Sequence, residues 1–336
     1  MEPAPSLELP ALTIISLGGT IAMTQAGGGG VTPTLTGEDL VAAVPALAGV
    51  ANVTALSFRQ LPGAHLTMDD LVSLAAEIER RIEAGAAGIV VIQGTDTIEE
   101  SAFALDLLLE GAAPVVVTGA MRNSTLPGAD GPANILAAAQ VAADRAARDL
   151  GVLVVLNDEI HAARYVRKIH PTSPSAFASP IAGSLGRVVE GRPRIFARLP
   201  GRRHIDAAAF ASDRRVALLT VALGDDGRLL EAVREAGYGG LVVEAFGAGH
   251  VPATLVEGLG RLAAAMPVVL ASRTGGGPMM EHTYGFPGSE SDMLGRGLIS
   301  AGILDGPKAR ILLWLLLGTG ASSAEISREF GWWAAV

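Results

Sequence analysis

The chain has 336 residues, 49% of them hydrophobic and 18% charged, the composition of a folded protein with two domains or one large α/β domain. Its formal net charge of −9, with Lys and Arg scattered rather than massed, would repel a polyphosphate backbone and argues against a nucleic-acid partner. The absence of cysteine excludes disulfides, thiolate metal sites and a cysteine nucleophile.

The opening stretch MEPAPSLELPALTII has two acids, three prolines and no basic segment, so it reads as a poor signal peptide and leaves the cytoplasm as the expected compartment. Apolar runs then recur, each closed by glycine or a polar turn: LTIISLGG, GIVVIQG, PVVVTG, GVLVVLN, RVALLTV, GGLVVEAF and MPVVLAS. Runs without alternation predict strands buried on both faces, as in a parallel sheet. Helical patterns fall between them at 38–48, 68–84, 97–110, 132–147, 227–236 and 252–264. Strand and helix in alternation predict a doubly wound, mainly parallel α/β sheet.

From about residue 190 to 214 the pattern lapses into EGRPRIFARLPGRRHIDAAAFASDRR, with seven arginines and neither period. It reads as a linker at 196–214 between a larger N-terminal domain, 1–195, and a smaller C-terminal α/β domain, 215–336. The longest clean apolar run, ILLWLLL at 311–317, falls well short of the roughly 20 residues of a membrane span.

In an open parallel sheet the ligand site lies beyond the carboxyl ends of the strands, so the residues just after each run deserve inspection. They read SLGGTIAMT, QGTDT, TGAMRNSTLPGADGP and NDEIHAARYVRKIHPTS, and are expected to converge on one edge. In QGTDT the spacing lets Thr97 cap a helix with Glu100 as its partner, leaving Thr95 and Asp96 beside the partial positive charge of a helix N-terminus. Those two either close a local Asx or ST turn or engage a small polar ligand. Thr20, behind two glycines, allows the same pair of readings. Lys168 lies where Val166 and Ile169 would partly desolvate its amine, and a desolvated amine favours the neutral form that accepts a proton; the alternative is an exposed surface lysine. The six histidines show no metal-ligand spacing, and FGAGHVP has Pro252 where a dinucleotide fingerprint needs its third glycine, so neither a metal nor a cofactor is expected.

Together LGGTIA at 17–22, QGTDTIEE at 93–100, TGAMR followed by ADGPANI, GVLVVLND with a lysine shortly after, and the closing GPKARILLWLLL resemble the bacterial-type L-asparaginases over nearly the whole chain. The resemblance implies two α/β domains, a homotetramer built from intimate dimers, and hydrolysis of L-asparagine to L-aspartate and ammonia without cofactor or metal. Position by position it makes Thr20 the nucleophile and Thr95, Lys168 and Asp96 the second catalytic group, with Asp96 also holding the substrate's α-amino group. Glu290 matches an acid that reaches that amine across the intimate dimer, and Ala120 a position near the side-chain amide. Two departures stand out. The family's lid tyrosine has no counterpart, since the aligned loop reads AGGGGVTPT and no tyrosine precedes Tyr165; and its substrate-binding serine and glutamine fall on Ala64 and His65 in LPGAHLT. These changes leave open a related amide such as glutamine or D-asparagine, or a non-catalytic binding protein that senses asparagine or aspartate. The amidotransferase subunit that shares this fold normally carries an extra N-terminal domain, against about ten residues before the first strand here.

Overall fold

The computed structural model describes residues 8–19, 21, 23–25, 31–33 and 35–336, with 23–25 and 31–33 as backbone only. The chain divides into two compact units, Met1–His204 and Ile205–Val336.

In the first unit the strands are β1 (Ala11–Ser16), β2 (Met23–Gln25), β3 (Val31–Pro33), β4 (Asn52–Ser57), β5 (Gly88–Ile92), β6 (Val115–Thr118), β7 (Val152–Leu156), β8 (Glu159–Ala162), β9 (Arg167–Lys168), β10 (Phe177–Ala178), β11 (Gly186–Val189) and β12 (Arg192–Ile195). The helices are α1 (Gly37–Ala42), α2 (Met68–Glu83), α3 (Ile98–Leu108) and α4 (Gly131–Ala143). The principal sheet runs β12-β11-β8-β7-β6-β5-β1-β4. β4, β1, β5, β6 and β7 are mutually parallel, while β8, β11 and β12 add antiparallel strands at one side.

The unalternating runs have the expected cause. Ile89, Val90, Val91 and Ile92 of β5 are fully buried, with α4 packed on β5, β6 and β7 and α3 on β6 and β7. Complete burial of such a side chain contributes about 1.5–3 kcal/mol relative to exposure. From β1 the chain goes to β4 on one side, and from β5 it goes to β6 on the other. The order therefore reverses between β1 and β5, which is where an open α/β sheet forms its crevice.

One local expectation is corrected. Thr97 does not cap α3 through its side chain; its hydroxyl donates instead to Gly63 O at 3.0 Å. The start of the arginine-rich stretch lies inside the sheet, ahead of the linker expected at 196–214. Glu190 and Gly191 turn the chain with φ of 52° and 72°, and Arg192–Ile195 returns as β12, the outermost strand. An edge strand buries little, tolerates Pro193 and is protected by charge, so it carries no clear period.

The second unit holds β13 (Val216–Thr220), α5 (Arg228–Glu235), β14 (Gly240–Ala245), α6 (Ala253–Ala263), β15 (Val268–Ser272), α7 (Glu290–Gly295), β16 (Ile299–Ser300), α8 (Gly306–Gly318) and α9 (Ser323–Ala335). Its four strands are parallel in the order β13-β14-β15-β16. Leu241, Val243, Leu259, Leu270 and Met293 form its core. The run ILLWLLL lies in α8, packed on β13, β14 and β15 and buried on most sides. No described helix is long and apolar enough to cross a membrane.

Candidate active site

β5 ends at Ile92, and Gly94 leads into a 3-10 turn over Thr95–Thr97 that runs directly into α3. The turn points Thr95 inward and Asp96 outward: Thr95 is buried, while the Asp96 side chain is 73% exposed. Lys168 joins them. Its Nζ lies 2.9 Å from Thr95 Oγ1 and 2.6 Å from Asp96 Oδ1, and its side chain is 12% exposed. A hydroxyl, an amine and a carboxylate thus share one chain of charge-assisted hydrogen bonds with one end facing solvent.

The route to Lys168 differs from a simple strand end. Asn157 and Asp158, with φ of 51° and 60°, make a two-residue turn after β7, and β8 carries the chain back along it. Residues 163–166 then lead back toward Thr95, and Arg167 and Lys168 form β9, paired with β10. Val166 beside the lysine is buried as expected, but Ile169 is 59% exposed and shields nothing.

The loops after β1, β5 and β6 meet backbone to backbone. Gly19, at φ +88°, lies so close to Gly94 that a Cβ on it would stand 2.1 Å from Gly94 N. A Cβ on Gly119 would stand 2.6 Å from Gln93 O and 3.1 Å from Thr95 Cγ2. Only glycine fits both places. Thr20 follows Gly19 directly and lies outside the described residues, as does the glycine run 27–30.

Buried and half-buried polar side chains fix these loops. Ser101 Oγ donates to Gln93 Oε1 at 2.7 Å, and Thr97 ties the junction to the 3-10 turn Gly63–His65. Ala64 and His65 are exposed on that turn. In the loop after β6, Ala120 is buried. Asp130 accepts from the amides of Met121 and Arg122 at 3.0 and 2.8 Å. Asn134 donates to Gly119 O at 2.9 Å and accepts from Asn157 N at 3.0 Å, joining the loops after β6 and β7. Residue reading overlooked Asp130 and Asn134, although both stand in the quoted ADGPANI. It also overlooked Glu99, whose Oε2 accepts from Lys168 N at 3.0 Å; the available signal was a second acid beside Glu100 in the first turn of α3.

Glu290 belongs to the second unit and is fully buried there. Its Oε1 accepts from Tyr284 N at 2.7 Å and Thr283 N at 2.9 Å, and its Oε2 lies 3.2 Å from His250 Nε2. Burial alone would push its carboxyl up, but the amides of Tyr284, Thr283 and Glu290 itself, with His250, outweigh this and hold it below the usual glutamate range.

The family model for the asparaginase N-terminal domain matches residues 11–200, and that for the glutaminase/asparaginase C-terminal domain matches residues 215–330. The chain belongs to the asparaginase family. It is 38% identical to a probable L-asparaginase of Deinococcus radiodurans, over 96% of this chain and 97% of that one. A glutaminase-asparaginase of Pseudomonas aeruginosa is 32% identical over 98% of this chain and 92% of its own. The crystal structure of a probable cytoplasmic L-asparaginase from Campylobacter jejuni superposes with a TM-score of 0.86 at 31% identity, covering 96% of this chain and 99% of the other. As an asparaginase-family member the protein is a hydrolase.

Proposed function

We propose that this asparaginase-family hydrolase converts L-asparagine and water to L-aspartate and ammonia, with Thr20 as nucleophile and Thr95, Lys168 and Asp96 as its proton-handling group. The observation that carries the reading is the hydrogen-bonded series Thr95–Lys168–Asp96 beside the crevice between β1 and β5. An amide carbonyl is attacked only by a hydroxyl that can lose its proton. Lys168 Nζ donates to Thr95 Oγ1 at 2.9 Å, a contact along which a proton can pass during the reaction. During attack the nucleophile's proton passes to Lys168 by way of Thr95, and the ammonium is balanced by Asp96. The Thr20 oxygen bonds to the amide carbon, the C–N bond breaks as ammonia departs with a proton, and water then releases aspartate. Exposed on the solvent side, Asp96 retains an oxygen to receive the substrate's α-ammonium.

The implied homotetramer, the reach of Glu290 across the intimate dimer and a cytoplasmic location belong to the same proposal. So do contributions of Ala64, His65 and Ala120 to the substrate pocket. The test is ammonia release from L-asparagine by the parent, Thr20→Ala and Thr95→Ala, with L-glutamine and D-asparagine as competing amides. Turnover in the parent that both substitutions abolish supports the reading. Thermal stabilisation by L-asparagine without turnover in the parent overturns it in favour of a binding protein.

A further inference from the structure

Lys168 is held at both ends by one short stretch of chain. Thr95 and Asp96 engage its Nζ, and Glu99, three residues beyond Asp96, accepts its backbone N–H at 3.0 Å. The lysine's own strand offers little restraint. Among the described residues β9 has two residues and pairs with the two-residue β10, and Lys168 turns its N–H toward α3. Glu99 is mostly buried, and its Oε2 also lies 3.9 Å from Arg167 Nε, so one carboxylate draws both residues of β9 onto the start of α3. The turn that presents the hydroxyl and the helix that anchors the amine's backbone are continuous.

We propose that Glu99 is a positioning residue that sets the register between Lys168 and Thr95, an inference that rests on the catalytic reading of those two residues. Glu99 acts by fixing the backbone from which the lysine side chain extends. Loss of its oxygen leaves a shielded N–H without that acceptor and frees β9 to shift. A displacement on the order of 1 Å lowers turnover by about 100-fold where proton transfer depends on hydrogen-bond distance.

The test is steady-state ammonia release with Glu99→Ala, Glu99→Asp and Glu99→Gln, alongside Lys168→Met. Glutamine keeps an oxygen at the same reach, so Glu99→Gln is expected within about 3-fold of the parental kcat. Asp withdraws the carboxylate by one methylene and Ala removes it; both are expected to lower kcat by about 10- to 100-fold with KM nearly unchanged. If Glu99→Ala does not fold, the contrast between Asp and Gln carries the test alone. Parental kcat in the Asp variant, a Gln variant as impaired as Asp, or a rise in KM at constant kcat would overturn the assignment. Lys168→Met separates the two levels. Its inactivity with fully active Glu99 variants sinks only the role of Glu99, whereas its retained turnover sinks the reading of the site itself.

Discussion

Lys168 Nζ stands 2.9 Å from Thr95 Oγ1 although 73 residues separate the two in sequence. The lysine's other partner, Asp96, is largely exposed, so the ion pair contributes little to stability, about 0–1 kcal/mol. In the proposed reaction its value lies in proton transfer. Thr95→Ala and Lys168→Met are each expected to lower kcat by about 10²- to 10⁴-fold while the melting temperature moves by only a few degrees. The double variant should lose little more than either single one, because the two act as a unit. Additive losses in single-turnover kinetics would show that they work independently.

Gly119 is crowded by the segment it faces, with an added Cβ 2.6 Å from Gln93 O and 3.1 Å from Thr95 Cγ2. Backbone cannot yield as the tip of a long side chain can. Gly119→Ala is therefore expected to destabilise by about 1–3 kcal/mol, measured by urea unfolding, and to lower kcat by displacing Thr95. Parental kcat would mean that the strain is absorbed on the β6 side.

The apolar runs of β5, β6, β7 and β15 were legible because those strands are covered on both faces, which writes burial into every residue. β4 and β12 were not, since they lie at the two ends of the sheet and expose alternate side chains. The site divides in the same way. Thr95 and Asp96 stood out as polar residues beside a helix start, a local signal. Thr97 did not keep the local role its spacing suggested, because a carbonyl 34 residues away, at Gly63, takes its hydrogen bond. Glu99 serves a backbone amide 69 residues distant, and no period or cap marks such a contact.

Asn134 spans the loops after β6 and β7 from a position that is 3% exposed. Replacing it with Leu keeps the volume but strands Gly119 O and Asn157 N without this partner. A buried polar group so stranded costs about 1–3 kcal/mol, and Asn134→Leu should lower the urea midpoint accordingly. A midpoint equal to the parent's would mean that water replaces the amide.

Glu290 gives the second unit a pH signature. Its carboxyl titrates below the usual glutamate range in the folded chain because backbone amides and His250 favour the charged form more strongly than burial opposes it. The sign follows: the unfolded state binds the proton at higher pH, so this contribution is fully present above the ordinary glutamate value and is lost as pH falls toward the lower folded one. Glu290→Gln cannot titrate and places an NH₂ among donors, costing about 1–3 kcal/mol at pH 7. Urea midpoints measured from pH 7 to pH 3 should therefore show the gap between parent and variant narrowing only below the ordinary glutamate range. A gap constant across that interval would show that the carboxylate gains nothing from its charge and that the loop 283–290 is held by packing alone.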